Sequence, residues 1–166
     1  MLGFYEGFPE TVHKAARFAV TVSNKKLQQA IIQTLQKLNS EKLNLEEVTE
    51  PLMPNCSVMF EFGIADGDTF SYLNQEEAMK ALEKVRKITL QTLDFFCATR
   101  YYKEQSGRRT PLKFDYFLLR IVFYPNFMEA YVFHERGPMH VSPEDIINFI
   151  VSKINSAFPR KALKPV

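Results

Sequence analysis

The chain of 166 residues lacks tryptophan, contains only two cysteines and has no long uninterrupted apolar segment. A membrane-spanning helix needs about 18 consecutive apolar residues, so the sequence predicts no span and no membrane partner. Both cysteines, Cys56 and Cys97, lie inside apolar stretches, which favours buried thiols in a reducing compartment over a disulfide. The first residues also lack the basic and apolar regions of a signal peptide. We therefore expect a cytoplasmic protein.

Motifs of the common enzyme classes are equally scarce. The six glycines are scattered and form no phosphate-binding loop, and no Gly-x-Ser-x-Gly segment is present. Neither cysteine stands beside the cationic start of a helix, which would activate a thiolate. A net charge of +2 is too small to imply nucleic-acid binding by itself. The sequence thus favours a protein that is not an enzyme and needs no cofactor.

Phenylalanine and tyrosine are abundant, with 15 and 7 copies in a chain that is 46% apolar and 24% charged. This composition is typical of a folded globular protein, and the length predicts one domain over residues 1–166. The aromatic residues predict a core of large side chains, with an exposed aromatic surface for a partner as the alternative. We expect an irregular N-terminal arm over residues 1–11 and a loose basic tail over residues 159–166.

The clearest local signal is a β-hairpin within residues 113–134. Two runs of aromatic and β-branched residues flank Pro125-Asn126, a pair typical of turns. In the first run apolar residues occupy both faces, interrupted by Arg120. This pattern predicts a central strand covered on both sides, by helices or by a second subunit. A capping sequence over residues 142–145 then predicts a helix that ends before Pro159.

Upstream of the hairpin, alternating and helical patterns predict the remaining elements. From the capping residue Asn74, one long helix is predicted to about residue 102. A strand over residues 90–101 is the alternative. The order β-α-β-β-α-β-β-α favours the α+β class, as two layers with a mostly antiparallel sheet and helices packed on one face. The elements before Asn74 are a strand over 15–22, a helix from Ser23 or Asn24 to residue 39, a loop over 40–55, and strands over 57–64 and 69–72.

An acidic segment, Asp66-Gly67-Asp68-Thr69, follows the apolar strand over 57–64. It resembles the Asp-x-Asp opening of haloacid-dehalogenase-type phosphatases. The resemblance implies that one carboxylate attacks phosphorus, that the other handles the proton, and that the pair holds a magnesium ion. It is confined to this short segment, and Phe70 stands where that family has Thr or Val. A hairpin turn at Asp-Gly is the other interpretation.

Two of the three histidines, His134 and His140, flank a Gly-Pro turn, and Glu135 follows the first of them. Two imidazoles and a carboxylate suit a transition metal, so His134, Glu135 and His140 are candidate metal ligands. His134 paired with Glu135 would also suit a general base. The alternative is a histidine at a strand end that is hydrogen-bonded to the backbone.

A basic and aromatic cluster is the remaining candidate site. Guanidinium groups bind phosphates and tyrosine rings stack on bases, so the cluster is a candidate nucleic-acid or anion site. The alternative is a solvated helix end, where cations are favoured by the helix dipole. Arg17, Arg120 and Arg136 would join the cluster if their strands are neighbours. Its members are Arg100, Tyr101, Tyr102, Lys103, Arg108, Arg109 and Lys113.

Three functions follow, in order of preference. The first is a non-enzymatic interaction or assembly module that forms a homodimer, because no catalytic constellation appears and the hairpin strand is apolar on both faces. The second is a nucleic-acid-binding protein, with RNA as the ligand of the basic and aromatic cluster. The third is a small metal-dependent hydrolase that uses the acidic segment or the histidines.

Overall fold

The computed structural model describes residues 1–39, 41–50 and 55–166, so Ser40, Pro51 and Pro54 of the expected loop lie outside the described residues. The described chain has the expected α+β fold, with a large antiparallel sheet and three helices. The helices are α1 (Asn24–Leu38), α2 (Gln75–Lys87) and α3 (Pro143–Asn155). The strands are β1 (Lys14–Val20), β2 (Leu43–Asn44), β3 (Cys56–Asp66), β4 (Thr69–Tyr72), β5 (Thr92–Gln105), β6 (Arg108–Pro111), β7 (Asp115–Tyr124), β8 (Phe127–Arg136) and β9 (Leu163–Pro165).

The sheet has the strand order β2-β3-β5-β7-β8-β1-β9, with β4 paired to β3 and β6 paired to β5. The predicted central hairpin is confirmed. β7 and β8 pair from the two-residue turn Pro125-Asn126 outward, with Tyr124 opposite Phe127. Asn126 has a φ of +68°, a left-handed conformation that asparagine adopts more readily than most residues. A local turn signal therefore set the register of the two central strands.

The prediction of one long helix over residues 74–102 is wrong. Helix α2 ends at Lys87, and the strand alternative over 90–101 is correct, since β5 spans Thr92–Gln105. Ile88, directly after α2, has extended backbone with a φ of −145°. Phe95 and Cys97 lie on one face of β5 and Phe96 and Ala98 on the other, so both faces carry apolar residues and the alternation typical of a half-exposed strand is weak.

Three short strands, β2, β6 and β9, are additions to the predicted order. β6 returns from β5 through the turn Ser106-Gly107, where both residues have positive φ, +48° and +75°. Tight hairpins favour such turns because they match the twist of the strands. The expectation of a loose tail is wrong for Leu163–Pro165, which pairs with β1 as β9. Leu163 is fully buried, and the Asn155 side chain holds its backbone through hydrogen bonds of 2.9 and 3.0 Å.

The helices begin where the sequence places capping residues. The helices share one type of cap. The side chain at the start of each helix accepts a hydrogen bond from the backbone amide three positions later, at 3.2 Å for Ser23, 2.9 Å for Asn74 and 3.1 Å for Ser142. Phe149 of α3 stacks on Phe60 of β3, with 5.4 Å between ring centres. Since side chains alternate between the two faces of a strand, this contact identifies the helix-facing side of the sheet. Among the described residues no helix is long and apolar enough to cross a membrane.

The opposite side of the sheet, here called the strap face, is crossed by residues 1–13, the N-terminal strap. The carbonyl of Gly3 accepts from the Asp94 amide at 2.6 Å. Under the strap, Arg120 donates to both carboxylate oxygens of Asp94, each at 2.8 Å. The Tyr5 amide donates to Asp94 at 2.7 Å, and the Tyr5 carbonyl accepts from Arg120 at 3.1 Å. The strap therefore covers part of the second face of β7.

Candidate functional site

Beside the strap, the strap face carries arginines that lie over aromatic rings. Three guanidinium carbons lie 3.8, 4.3 and 5.1 Å from ring centres, in the pairs Arg109 on Tyr102, Arg136 on Tyr116 and Arg100 on Phe114. These are the distances of cation–π contacts. We call these six residues the arginine–aromatic patch.

Strand alternation and register build the patch. Arg100 and Tyr102 are two residues apart on β5, so both project from the same face. The register of the sheet places β7 beside β5, and within the hairpin it pairs Tyr116 of β7 with Arg136 of β8. Phe114, just before β7, meets Tyr116 edge to face with 4.8 Å between ring centres. Residues that are distant in sequence thus form one continuous surface.

The patch is positively charged, with three guanidinium groups and one carboxylate in contact with them. Arg100 Nε donates to Glu61 Oε1 at 2.9 Å, and this hydrogen bond raises the pKa of Arg100. Both side chains stay 38% exposed, so a ligand in solution can reach them. Arg109 lies against the sulfur of Met59, with 2.9 Å between Nη2 and Sδ. Planar cations on rings are suited to phosphates and to flat aromatic ligands.

The structure divides the cluster expected from the sequence. Arg100, Tyr102 and Arg109 meet in the patch, while Tyr101 is buried on the helix-facing side. Lys103 follows Tyr102 on β5 and projects from the opposite face by alternation. Arg108 of β6 and Lys113 are exposed.

Three residues outside the expected cluster complete the patch, and two arginines that were expected to join it lie elsewhere. Arg136 joins, as expected for neighbouring strands, and Phe114 and Tyr116 are members that the sequence did not reveal. Arg120 instead binds Asp94 under the strap, and Arg17 lies over Phe127 at the far end of the hairpin. The alternation of residues around Tyr116 indicates the face of β7 on which it lies. It does not indicate which residues of other strands lie beside it.

A buried carboxylate, Asp115, organises the region behind the patch. Its Oδ2 accepts from the Tyr101 hydroxyl at 2.5 Å and from the His140 amide at 3.0 Å. Its Oδ1 accepts from the Met139 amide at 2.6 Å and lies 2.8 Å from His134 Nε2. Burial and the bond to Asp115 raise the pKa of Tyr101, so its hydroxyl remains a donor. These bonds tie β5, β7, β8 and the loop before α3 together.

The candidate metal ligands are arranged around this carboxylate. His134 is paired with Asp115, and Glu135 is exposed. The ring of His140 meets Tyr101 edge to face at 4.9 Å. The third histidine, His13, accepts from the His134 amide through Nδ1 at 2.9 Å. Within residues 1–39, 41–50 and 55–166, no group of three or more His, Cys, Asp or Glu side chains is placed to hold a metal ion.

The acidic segment forms a hairpin turn between β3 and β4. Asp66 pairs with Thr69, and Gly67 takes a φ of +71° between them. Asp66 Oδ1 lies 3.2 Å from the amino group of Met1 at the start of the strap. Every strand pair assigned in the described sheet is antiparallel, whereas the phosphatase resemblance implies repeated strand–helix units.

Both cysteines are buried thiols, as the sequence predicted. Burial raises the pKa of Cys97 to about 12, and the hydrogen-bonding contact with Thr99, 3.7 Å away, opposes this shift. A thiol with such a pKa stays protonated near neutral pH and is a poor nucleophile.

Comparisons of the chain with models of protein families, with curated proteins and with solved structures find no match. Among the candidate sites, the arginine–aromatic patch is the one that joins several exposed cations to partly exposed rings. Its chemistry suits ligands that carry both phosphates and flat rings.

Proposed function

We propose that the protein binds single-stranded RNA on the arginine–aromatic patch. The observation that carries the proposal is the set of three arginine-on-ring pairs, which come from adjacent strands and share one face. Guanidinium groups take phosphates, and bases stack on rings or on guanidinium planes. The proposal uses the two-layer arrangement expected from the sequence, with helices on one side of the sheet and the ligand on the other.

A single strand fits this surface better than a duplex. Stacking requires bases that are free of a helix, and the deep major groove of A-form RNA keeps base edges away from side chains. On a sheet, rings spaced along neighbouring strands offer successive stacking positions to a flexible strand. Phe96, whose ring centre lies 5.0 Å from that of Tyr116, extends the aromatic surface toward the strap.

Replacing Arg109 and Arg136 with glutamine should weaken binding of a fluorescein-labelled 12-nucleotide RNA by about 5–150-fold each, as expected when 1–3 kcal/mol of contact is lost. Fluorescence anisotropy at low salt measures the affinity. Arg86→Gln is the matched control, because it removes an exposed arginine from the last turn of α2. Equal loss in the control, or no RNA binding by the wild type, would contradict the proposal. Tighter binding of the DNA strand of the same sequence would overturn the choice of RNA.

A second candidate function, self-association, is favoured by the surface at the other end of the hairpin. There Tyr124 and Phe127 stack with 4.6 Å between ring centres, and Arg17 lies 4.8 Å over Phe127. Arg17 is also 3.4 Å from Glu129, so the surface carries both charges. Such a surface is complementary to itself across a two-fold axis. It lies away from the patch, so a homodimer would leave the RNA site open.

Sedimentation velocity at micromolar concentration tests this second candidate, with a dimer as the expected result. Arg17→Glu should yield monomers, because two glutamates would then face each other across the axis. The double change Arg17→Glu and Glu129→Arg should restore the dimer. A monomeric wild type would exclude this interface.

We also propose a cytoplasmic location, where Cys56 and Cys97 would stay reduced. Two residues of the hydrolase hypothesis have other partners: Asp66 contacts the Met1 amino group, and His134 contacts Asp115.

A further inference from the structure

Beyond the rings, we propose that the concave surface at the β5–β6 turn binds a phosphate group of the same RNA strand. This inference rests on the proposed function. The concavity has a volume of about 360 Å³ and lies at the end of the patch. It is lined by the turn Ser106-Gly107 and by the charged side chains of Lys42, Glu104, Arg108 and Arg109.

The charges of this concavity favour an anion. Its lining contains three cations and one carboxylate, and that carboxylate already pairs with Lys42. Lys42 Nζ lies 2.5 Å from Glu104 Oε1, and the Ser57 hydroxyl donates to the same oxygen at 3.3 Å. The hydrogen bond from Lys42 lowers the pKa of Glu104, which keeps the pair ionised. Arg108 and Arg109 are therefore the two cations left for a phosphate.

Arg109 connects the concavity to the patch, because it lines the turn and lies 3.8 Å over Tyr102. An RNA strand that binds the turn through one phosphate can place its next bases on Tyr102 and, farther along β5, beside Tyr116. Tyr116 pairs with Ala98 of β5. The distance along β5 from Gln105 to Ala98 is about 24 Å at 3.4 Å per residue. At the spacing of stacked nucleotides this corresponds to about seven nucleotides. The subsite would thus fix one end of the bound segment.

The hairpin turn brings Arg108 and Arg109, which are neighbours on β6, to the same concavity. Positive φ at Ser106 and Gly107 allows Gln105 and Arg108 to face each other as the closing pair of the hairpin. Glu104 and Arg109 form the next pair, so the carboxylate lies beside the arginine that reaches the patch. The Glu104 carboxylate should therefore weaken anion binding in the concavity. Its removal tests whether an anion binds there.

The test measures binding of unlabelled 8-nucleotide RNA by calorimetry, with Arg108→Gln and Glu104→Gln beside the wild type. Arg108→Gln should weaken binding about tenfold and reduce the salt slope. Glu104→Gln should tighten binding severalfold, because it removes a negative charge and releases Lys42. Arg86→Gln again serves as the control for loss of an exposed arginine.

Oligonucleotides with a 5′-phosphate, a 3′-phosphate or neither identify the source of the phosphate. An effect of Arg108→Gln confined to one phosphorylated end supports a terminal phosphate, and an equal effect on all three supports an internal phosphodiester. If Arg108→Gln matches the control and Glu104→Gln binds no tighter, while Arg136→Gln still weakens binding, the subsite is wrong and the RNA site stands. If the wild type binds none of the three, the proposed function itself fails.

Discussion

Replacement of Asp115 by alanine is expected to lower the free energy of unfolding by about 3–5 kcal/mol. The carboxylate is fully buried and contacts four polar groups from three parts of the chain. Without it, the buried Tyr101 hydroxyl and the partly buried amides of Met139 and His140 lose their acceptor. Each such group costs about 1–3 kcal/mol, and partial relaxation of the loop reduces the sum. Urea denaturation followed by circular dichroism measures the change.

Glu129→Ala provides the comparison for Asp115→Ala. Glu129 is an acid of β8 that is partly exposed and contacts Arg17, so its loss should cost less than about 1 kcal/mol. A loss of similar size in both variants would show that the Asp115 contacts do not hold the strands together. Tyr101→Phe, which removes one of the four polar contacts of Asp115, should fall between the two variants.

Replacement of Arg120 by methionine is expected to cost about 3–5 kcal/mol, because it leaves the Asp94 carboxylate buried without its cation. Asp94 is fully buried, and Arg120 contacts both of its oxygens. The same change removes the donor to the Tyr5 carbonyl and the cation between the rings of Phe4 and Phe8. The strap should therefore loosen in addition to the loss of global stability.

Two measurements separate these effects of Arg120→Met. Hydrogen exchange should show faster exchange of the Gly3 and Tyr5 amides than in the wild type. A double variant with Asp94→Leu should recover most of the lost stability, because no charge is then left buried. Arg17→Met, which removes a more exposed arginine from the same face, should change stability by less than about 1 kcal/mol. If the double variant does not recover stability, Arg120 stabilises the fold through packing and not through its charge.

The features that the sequence predicted well depend on short-range signals. The hairpin follows from Pro125-Asn126, and the helix starts follow from Ser23, Asn74 and Ser142, whose side chains bond within three residues. These signals act locally, so they can be recognised without knowledge of the rest of the chain.

The errors arose where tertiary contacts decide the local structure. Residues 92–102 carry apolar side chains at spacings that also suit a helix, and only the flanking strands β3 and β7 make them extended. The hairpin at Ser106-Gly107 carries no apolar alternation beyond the turn, because the residues of β6 are polar or exposed, so no local pattern predicts it. β9 owes its conformation to β1 and Asn155, which are remote in sequence.

The candidate site was visible only in part for the same reason. Arg100, Tyr102 and Arg109 lie close together in sequence, and the hairpin of β5 and β6 keeps them together in space. Tyr116 and Arg136 join through the order of strands in the sheet, which no local pattern encodes. The predicted helix to about residue 102 included Asp94. The sequence therefore did not reveal that Asp94 pairs with Arg120.

The salt dependence of RNA binding tests the central claim most directly. Anisotropy of the labelled 12-nucleotide RNA would be measured with the wild type between about 50 and 200 mM salt, the range in which phosphate contacts dominate. Three arginine contacts predict that log K falls with log salt at a slope of about −2, and that the double variant Arg109→Gln, Arg136→Gln keeps about a third of it. Absence of binding at the lowest salt, or a slope that the double variant leaves unchanged, would contradict an RNA site on this face.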